Sequence, residues 1–367
     1  MIRKGPTFLA LLFVLTVSLS AFGQGRRNQQ QQQQDVPQTQ QGVGPAPQSK
    51  DEAEAFTALQ REQAPDKKVE LAEAFIAKYP NSDFVQYAHM FRLTGYSQLG
   101  KHKESIAAAQ QAIDTTVKFG EKLVAKADAD AKLSDKDKEA AKKKDKNAVF
   151  LDKNSPQFQT FMQQAEQRIL AFYQSIITSY QQLNDAPKML EWGEKALGFK
   201  PDDINTLVML SNVMAERPPT NEAEKAKQMK RAEELANQAI EALPGFLSSP
   251  EATNLPASAK ADLTSQTHYT LGLIYLHEKK LGPAQQELLT AIKSKPNDPI
   301  AYYRLGIAYV QDMKNDQAME ALGKSVFLKG VSEEGARDVL KQLWVNKNKS
   351  EQGLEEYIKS SGAKIGQ

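Results

Sequence analysis

The chain has 367 residues, 40% hydrophobic and 25% charged, which supplies enough apolar surface for a sizeable core. A formal net charge of +2 gives no overall field to draw in nucleic acid, so no nucleic-acid partner is expected. The absence of cysteine excludes disulfides, a thiolate nucleophile, sulfur-bound zinc and a lipidated cysteine.

Residues 1–23 have the layout of a secretion signal. Arg3 and Lys4 form a basic start, Phe8 to Leu19 an apolar run, and Ala21 and Gly23 a small-residue site for cleavage before Gln24. The alternative is an uncleaved N-terminal anchor, against which the run is short of the ~20 residues a spanning helix needs. Export to the periplasm or the outside is therefore expected, with no integral span after cleavage. Residues 24–50 are rich in glutamine, unbroken from Gln29 to Gln34, with Pro37, Pro45 and Pro47 following. Such a tract has little to bury and reads as a disordered linker.

Helical elements then follow in pairs. Residues 51–113 read as N-terminal hairpins, including a helix over 67–79 that stops at Pro80. Residues 114–156 are crowded with lysine, aspartate and alanine and lose their apolar stripe after Leu133. They read as a solvated helical insertion turning near residues 133–135. The cluster Lys142 to Lys144 could serve an acidic partner, but interleaved acids dilute it. Residues 157–244 read as two more hairpins, with Pro187 opening a second helix and Pro244 closing the last. Residues 245–264, with Pro250 and Pro256, read as a linker, and residues 333–367 as a final helix pair with a charged face suited to capping.

Residues 265–332 contain an internal repeat. His268 to Tyr275 (HYTLGLIY) aligns with Tyr302 to Tyr309 (YYRLGIAY) at an offset of 34 residues, and Ala284, Leu288 and Ala291 align with Ala318, Leu322 and Ser325. Leu271, Gly272, Tyr275, Ala284, Leu288, Ala291 and Pro296 meet the pattern by which this stretch resembles the tetratricopeptide repeat family, known among exported bacterial proteins. The first-helix tryptophan usual in the family is His268 in one copy and Tyr302 in the other, and Gly330 replaces the closing proline of the second. Weaker copies carry Leu93, Tyr96, Gly100, Ala109 and Ala112, then Tyr173, Ile177, Tyr180, Ala196 and Pro201.

The resemblance implies an all-α solenoid of helical hairpins whose first helices line a concave groove for a protein or peptide. Carried over residue by residue, it places Tyr269, Leu273, Leu276 and His277 of one unit and Ile300, Tyr303, Arg304, Ile307 and Gln311 of the next on that groove. The competing reading is that these side chains pack against neighbouring helices. The lysine and asparagine clamp with which some members hold a C-terminal carboxylate is missing, since Tyr269 and Leu273 stand at its positions.

Nothing in the sequence points to catalysis. His268 and His277 are nine residues apart on one helix, hence on opposite faces, and His268 takes a position where the family buries an aromatic ring. His89 and His102 lack metal-ligand spacing, and no phosphate loop, serine elbow or metal-binding helix motif occurs. The sequon-like Asn348-Lys-Ser350 reads as chance. The expected function is a non-enzymatic, cofactor-free interaction scaffold of the cell envelope. Self-association of the repeats into homo-oligomers is the alternative, and an unrecognised envelope enzyme a third.

Overall fold

The computed structural model describes residues 43–146 and 148–366. The signal-like run and most of the glutamine-rich tract lie outside them. The described residues form sixteen α-helices and no strands, in two compact units that divide after Pro201.

The first unit contains α1 (Lys50–Arg61), α2 (Pro65–Lys78), α3 (Val85–Gln98), α4 (His102–Ala131), α5 (Asp135–Lys144), α6 (Pro156–Gln182) and α7 (Ala186–Phe199). Proline in the first turn of α2, α6 and α7 fixes φ where no helical N–H is needed. Ser155 and Asp185 cap the exposed amides at the starts of α6 and α7. Aromatic side chains fill the first layer of core, with the rings of Phe56 and Phe84 stacked 4.3 Å apart. The next layer joins Leu93, Ile106, Ala109 and Ala112 to Ile169, Phe172 and Ile176.

Two boundaries in this unit differ from the sequence reading. Helix α4 runs unbroken through residues 113 and 114, because Phe119, Leu123 and Ala127 continue its apolar stripe and bury against Leu151 and Phe158. The solvated insertion therefore reduces to α5, which has no buried residue and starts at the predicted turn with a Ser134–Asp137 capping box. Val43, the first described residue, packs on the Phe119 cluster, so the ordered chain begins before residue 50.

The second unit contains α8 (Ile204–Glu216), α9 (Glu222–Leu247), α10 (Pro250–Thr253), α11 (Ala257–His277), α12 (Leu281–Ser294), α13 (Pro299–Gln311), α14 (Asn315–Leu328), α15 (Glu333–Asn348) and α16 (Leu354–Gly362). The expected linker 245–264 is largely helical. Pro244 lies inside the last turns of α9 rather than ending it, α10 follows, and α11 begins eight residues before 265.

The 34-residue repeat is visible as packing. A Cβ on Gly272 would lie 2.8 Å from Leu288 Cγ, and one on Gly306 would lie 2.6 Å from Leu322 Cγ. Both leucines are fully buried, each adding roughly 1.5 to 3 kcal/mol through burial. The missing side chain at each glycine is what lets α11 approach α12 and α13 approach α14.

One turn joins the two helices of four hairpins. A left-handed residue ends the first helix, and the next residue donates its N–H to the carbonyl of a tyrosine five positions back. The pairs are Lys101 to Tyr96, Asp185 to Tyr180, Lys280 to Tyr275 and Lys314 to Tyr309, each 2.9 Å. Gly100, Asn184, Lys279 and Met313 supply the positive φ, between 54° and 67°. This double-wound ending satisfies carbonyls left open at a helix C-terminus. In three of the four, a lysine ammonium also lies over the tyrosine ring, at 5.9, 5.2 and 6.0 Å.

Candidate interaction face of the C-terminal repeats

The first helices α8, α11 and α13 of the second unit are tied together by one carboxylate. The Tyr269 hydroxyl donates to Glu216 Oε1 at 2.5 Å, and Arg304 Nη2 donates to Glu216 Oε2 at 3.0 Å. Asn212 on α8 also donates to Thr270 on α11, 3.2 Å away. Burial, followed by the Glu216 carboxylate, pushes the Tyr269 phenol well above its ordinary value, so it stays a donor. Desolvation works against the Arg304 charge, but Tyr269 and Glu216 outweigh it and hold the guanidinium above its ordinary value.

This network decides where the sequence-predicted groove residues lie. Leu273 is fully buried and Tyr269 and Leu276 are nearly so. Their placement on an open groove is corrected: α8 lies over this face of α11, which sequence spacing within the 34-residue unit does not encode. His277 is half-buried. Burial and then the nearby Arg304 push its imidazole below the ordinary value, against the Ala215 carbonyl, which favours the charged form.

On α13 the expected residues are more open. Tyr303 is half-buried, with its hydroxyl 3.2 Å from the position a Cβ would take on Gly335 of α15, and it joins the cluster around Leu340. Arg304 is committed to Glu216. Ile300 and Ile307 are half-buried and Gln311 is exposed. At 100° per residue these three share one stripe of the helix with Arg304.

His268 corrects another expectation. It does not fill the core as an aromatic would; it is half-buried, and its Nδ1 lies 2.6 Å from Glu287 Oε2. The equivalent pair in the next repeat is Tyr302 and Ala321, at the same offset of 34. Glu216, the hub of the network, was missed by sequence reasoning. Its signal was available only as an acid at the end of a first helix, a common surface feature. Among the described residues, no group of three or more histidine or acidic side chains converges as a metal site would require, and no helix is long and apolar enough to cross a membrane.

No family model matches the chain, and no curated protein matches it. Solved structures do. A tetratricopeptide repeat protein from Parabacteroides merdae is 12% identical with a TM-score of 0.43, covering 86% of this chain and 98% of that one. MamA from Desulfovibrio magneticus is 19% identical with a TM-score of 0.38, covering 52% of this chain and 92% of that one. The TPR2AB domain of yeast Sti1, solved as a pHSP90 complex, is 14% identical with a TM-score of 0.24, covering 84% and 95%. Residues 265–332 repeat themselves in structure as in sequence, with the glycine–leucine contacts and the tyrosine-anchored turns recurring 34 residues apart.

Proposed function

We propose that this chain is an exported, non-catalytic scaffold that binds a protein or peptide segment on the first-helix face of its C-terminal repeats. The observation that carries this reading is the Glu216 network. It holds α8, α11 and α13 in one arrangement before any partner arrives, which lowers the ordering cost of binding. On that preorganised base, Ile300, Ile307 and Gln311 offer a half-apolar stripe of the kind a partner segment covers. The Tyr269, Leu273 and Leu276 side chains serve beneath it as support rather than contact.

The export part of the reading rests on residues 1–23 and is checked separately, by intact mass of the secreted chain, with Gln24 expected as the first residue. The binding part is tested by affinity capture from envelope extracts with the wild-type chain and with Ile307→Asp. Ile307 is only half-buried, so the variant is expected to fold, as circular dichroism would verify. A specific partner lost from the variant by roughly tenfold supports the reading. The same partners captured equally by both proteins would overturn it.

A further inference from the structure

The side of α13 opposite the stripe just described bears a cavity of about 420 Å³, between the second helices α12 and α14. At 100° per residue, Tyr302, Leu305 and Tyr309 lie roughly half a turn from Ile300, Ile307 and Gln311. They form the floor of this groove, Leu289 and Ile292 one wall and Ala321 part of the other. Leu289 is 47% exposed, a large aliphatic side chain left open at the rim.

The neighbouring repeats explain why the groove is open here. One repeat earlier, the positions of Tyr302 and Ala321 are taken by His268 and Glu287, which bond to each other and put a polar, acid-bearing pair there. One hairpin later, α16 closes directly onto α14: a Cβ on Gly323 would lie 2.7 Å from Ser361 Oγ, and Gly362 lies against the Phe327 ring. Replacing the acid by Ala321 removes the negative charge from this position.

The rim is cationic. Lys293, Lys324 and Lys364 line the groove with Glu320 as the single acid. Lys324 is already engaged, 3.2 Å from Glu320 and 5.6 Å above the Tyr302 ring. Among the described residues Lys293 and Lys364 form no ion pair, so two ammonium groups at the rim remain for an anionic ligand.

We propose that this groove binds an anionic, apolar peptide segment of a partner, with an aliphatic or aromatic side chain on the Tyr302, Leu305 and Tyr309 floor and flanking carboxylates at Lys293 and Lys364. The complementarity is specific in sign: a basic segment of the same apolar content meets like charge at both ends.

The test uses the full chain and two fluorescein-labelled peptides, acetyl-EELFEE-amide and acetyl-KKLFKK-amide, followed by anisotropy at low and high salt. The acidic peptide is expected to bind roughly tenfold more tightly than the basic one and to weaken as salt screens the lysines. Leu289→Asp and Lys293→Glu, both at exposed positions, are expected to weaken it several-fold with unchanged melting by circular dichroism. The double change Tyr302→His with Ala321→Glu, which rebuilds the pair of the preceding repeat, is expected to abolish binding. Ile307→Asp, on the opposite face, is expected to leave it intact, which keeps this proposal separable from the first-helix binding face. No binding up to about 1 mM, equal affinity for both peptides, indifference to Leu289→Asp and Lys293→Glu, or loss in Ile307→Asp would each overturn it.

Discussion

A methyl group on Gly306 would press against Leu322, a side chain with no room to retreat because it is fully buried. Gly306→Ala is therefore expected to destabilise the protein by about 1 to 3 kcal/mol from overpacking, although alanine favours helix by about 1 kcal/mol. Pairing it with Leu322→Ala should give a double variant less destabilised than the sum, by at least about 1 kcal/mol in urea unfolding. Additive losses would refute the contact. His89 carries a second expectation. It is nearly buried, its Nδ1 has no hydrogen-bond partner, and burial followed by the charge of Arg92 pushes it from 6.5 down to about 4. The unfolded chain thus binds the proton more tightly than the folded one. Stability should be fully present above about pH 6.5 and fall as pH drops toward 4, by about 3 kcal/mol from this residue. Denaturant melts of His89→Gln across that range should show a flatter slope; His277, also depressed, contributes in the same direction. At this scale the recurring glycine and leucine positions were legible, because their spacing repeats, whereas the contact of Gly272 with Leu288 and of Gly306 with Leu322 was not. The burial of Tyr269 and Leu273 was not, since it depends on α8, whose Glu216 lies 53 residues before Tyr269.

At the scale of elements, the hairpin ending is the most consistent device in the chain. The sequence showed its tyrosines but not the left-handed residue, because asparagine, lysine and methionine fill the place that glycine fills at Gly100. Met313 is 85% exposed and held at φ 58°, a conformation that costs an L-residue roughly 1 kcal/mol or more. Met313→Gly should therefore raise stability by about 0.5 to 1 kcal/mol, read as a higher urea midpoint, the reverse of the usual effect of glycine near a helix. A lowered midpoint would show that the turn is not under this strain. Most helices were readable from apolar periodicity, and the turn near residues 133–135 from the loss of the apolar stripe after Leu133; α10 and the start of α11 were not, since their prolines read as a linker. Helix length was not: α4 extends past residue 114 because its stripe meets Leu151 and Phe158, and α9 passes through Pro244 because a proline near a helix end forfeits only one interior hydrogen bond.

For the molecule as a whole, each of the two compact units has its own core and one of the two tryptophans, Trp192 in the first and Trp344 in the second. Unfolding can then be followed separately through Trp192→Phe and Trp344→Phe. In a molecule built of neighbour contacts, Gly306→Ala is expected to lower the midpoint reported by Trp344 more than that reported by Trp192. Equal shifts would mean one cooperative transition. The architecture was legible from the repeat at 265–332, whereas the division after Pro201 was not, since it falls inside a stretch that reads as two similar hairpins. The tyrosine-anchored turns also bear on how the chain folds in time. Each joins two helices adjacent in sequence, so the loop to be closed is short and its entropic cost small. Such low contact order favours rapid folding, and a hairpin can form as soon as its second helix leaves the ribosome, before the next repeat has been synthesised.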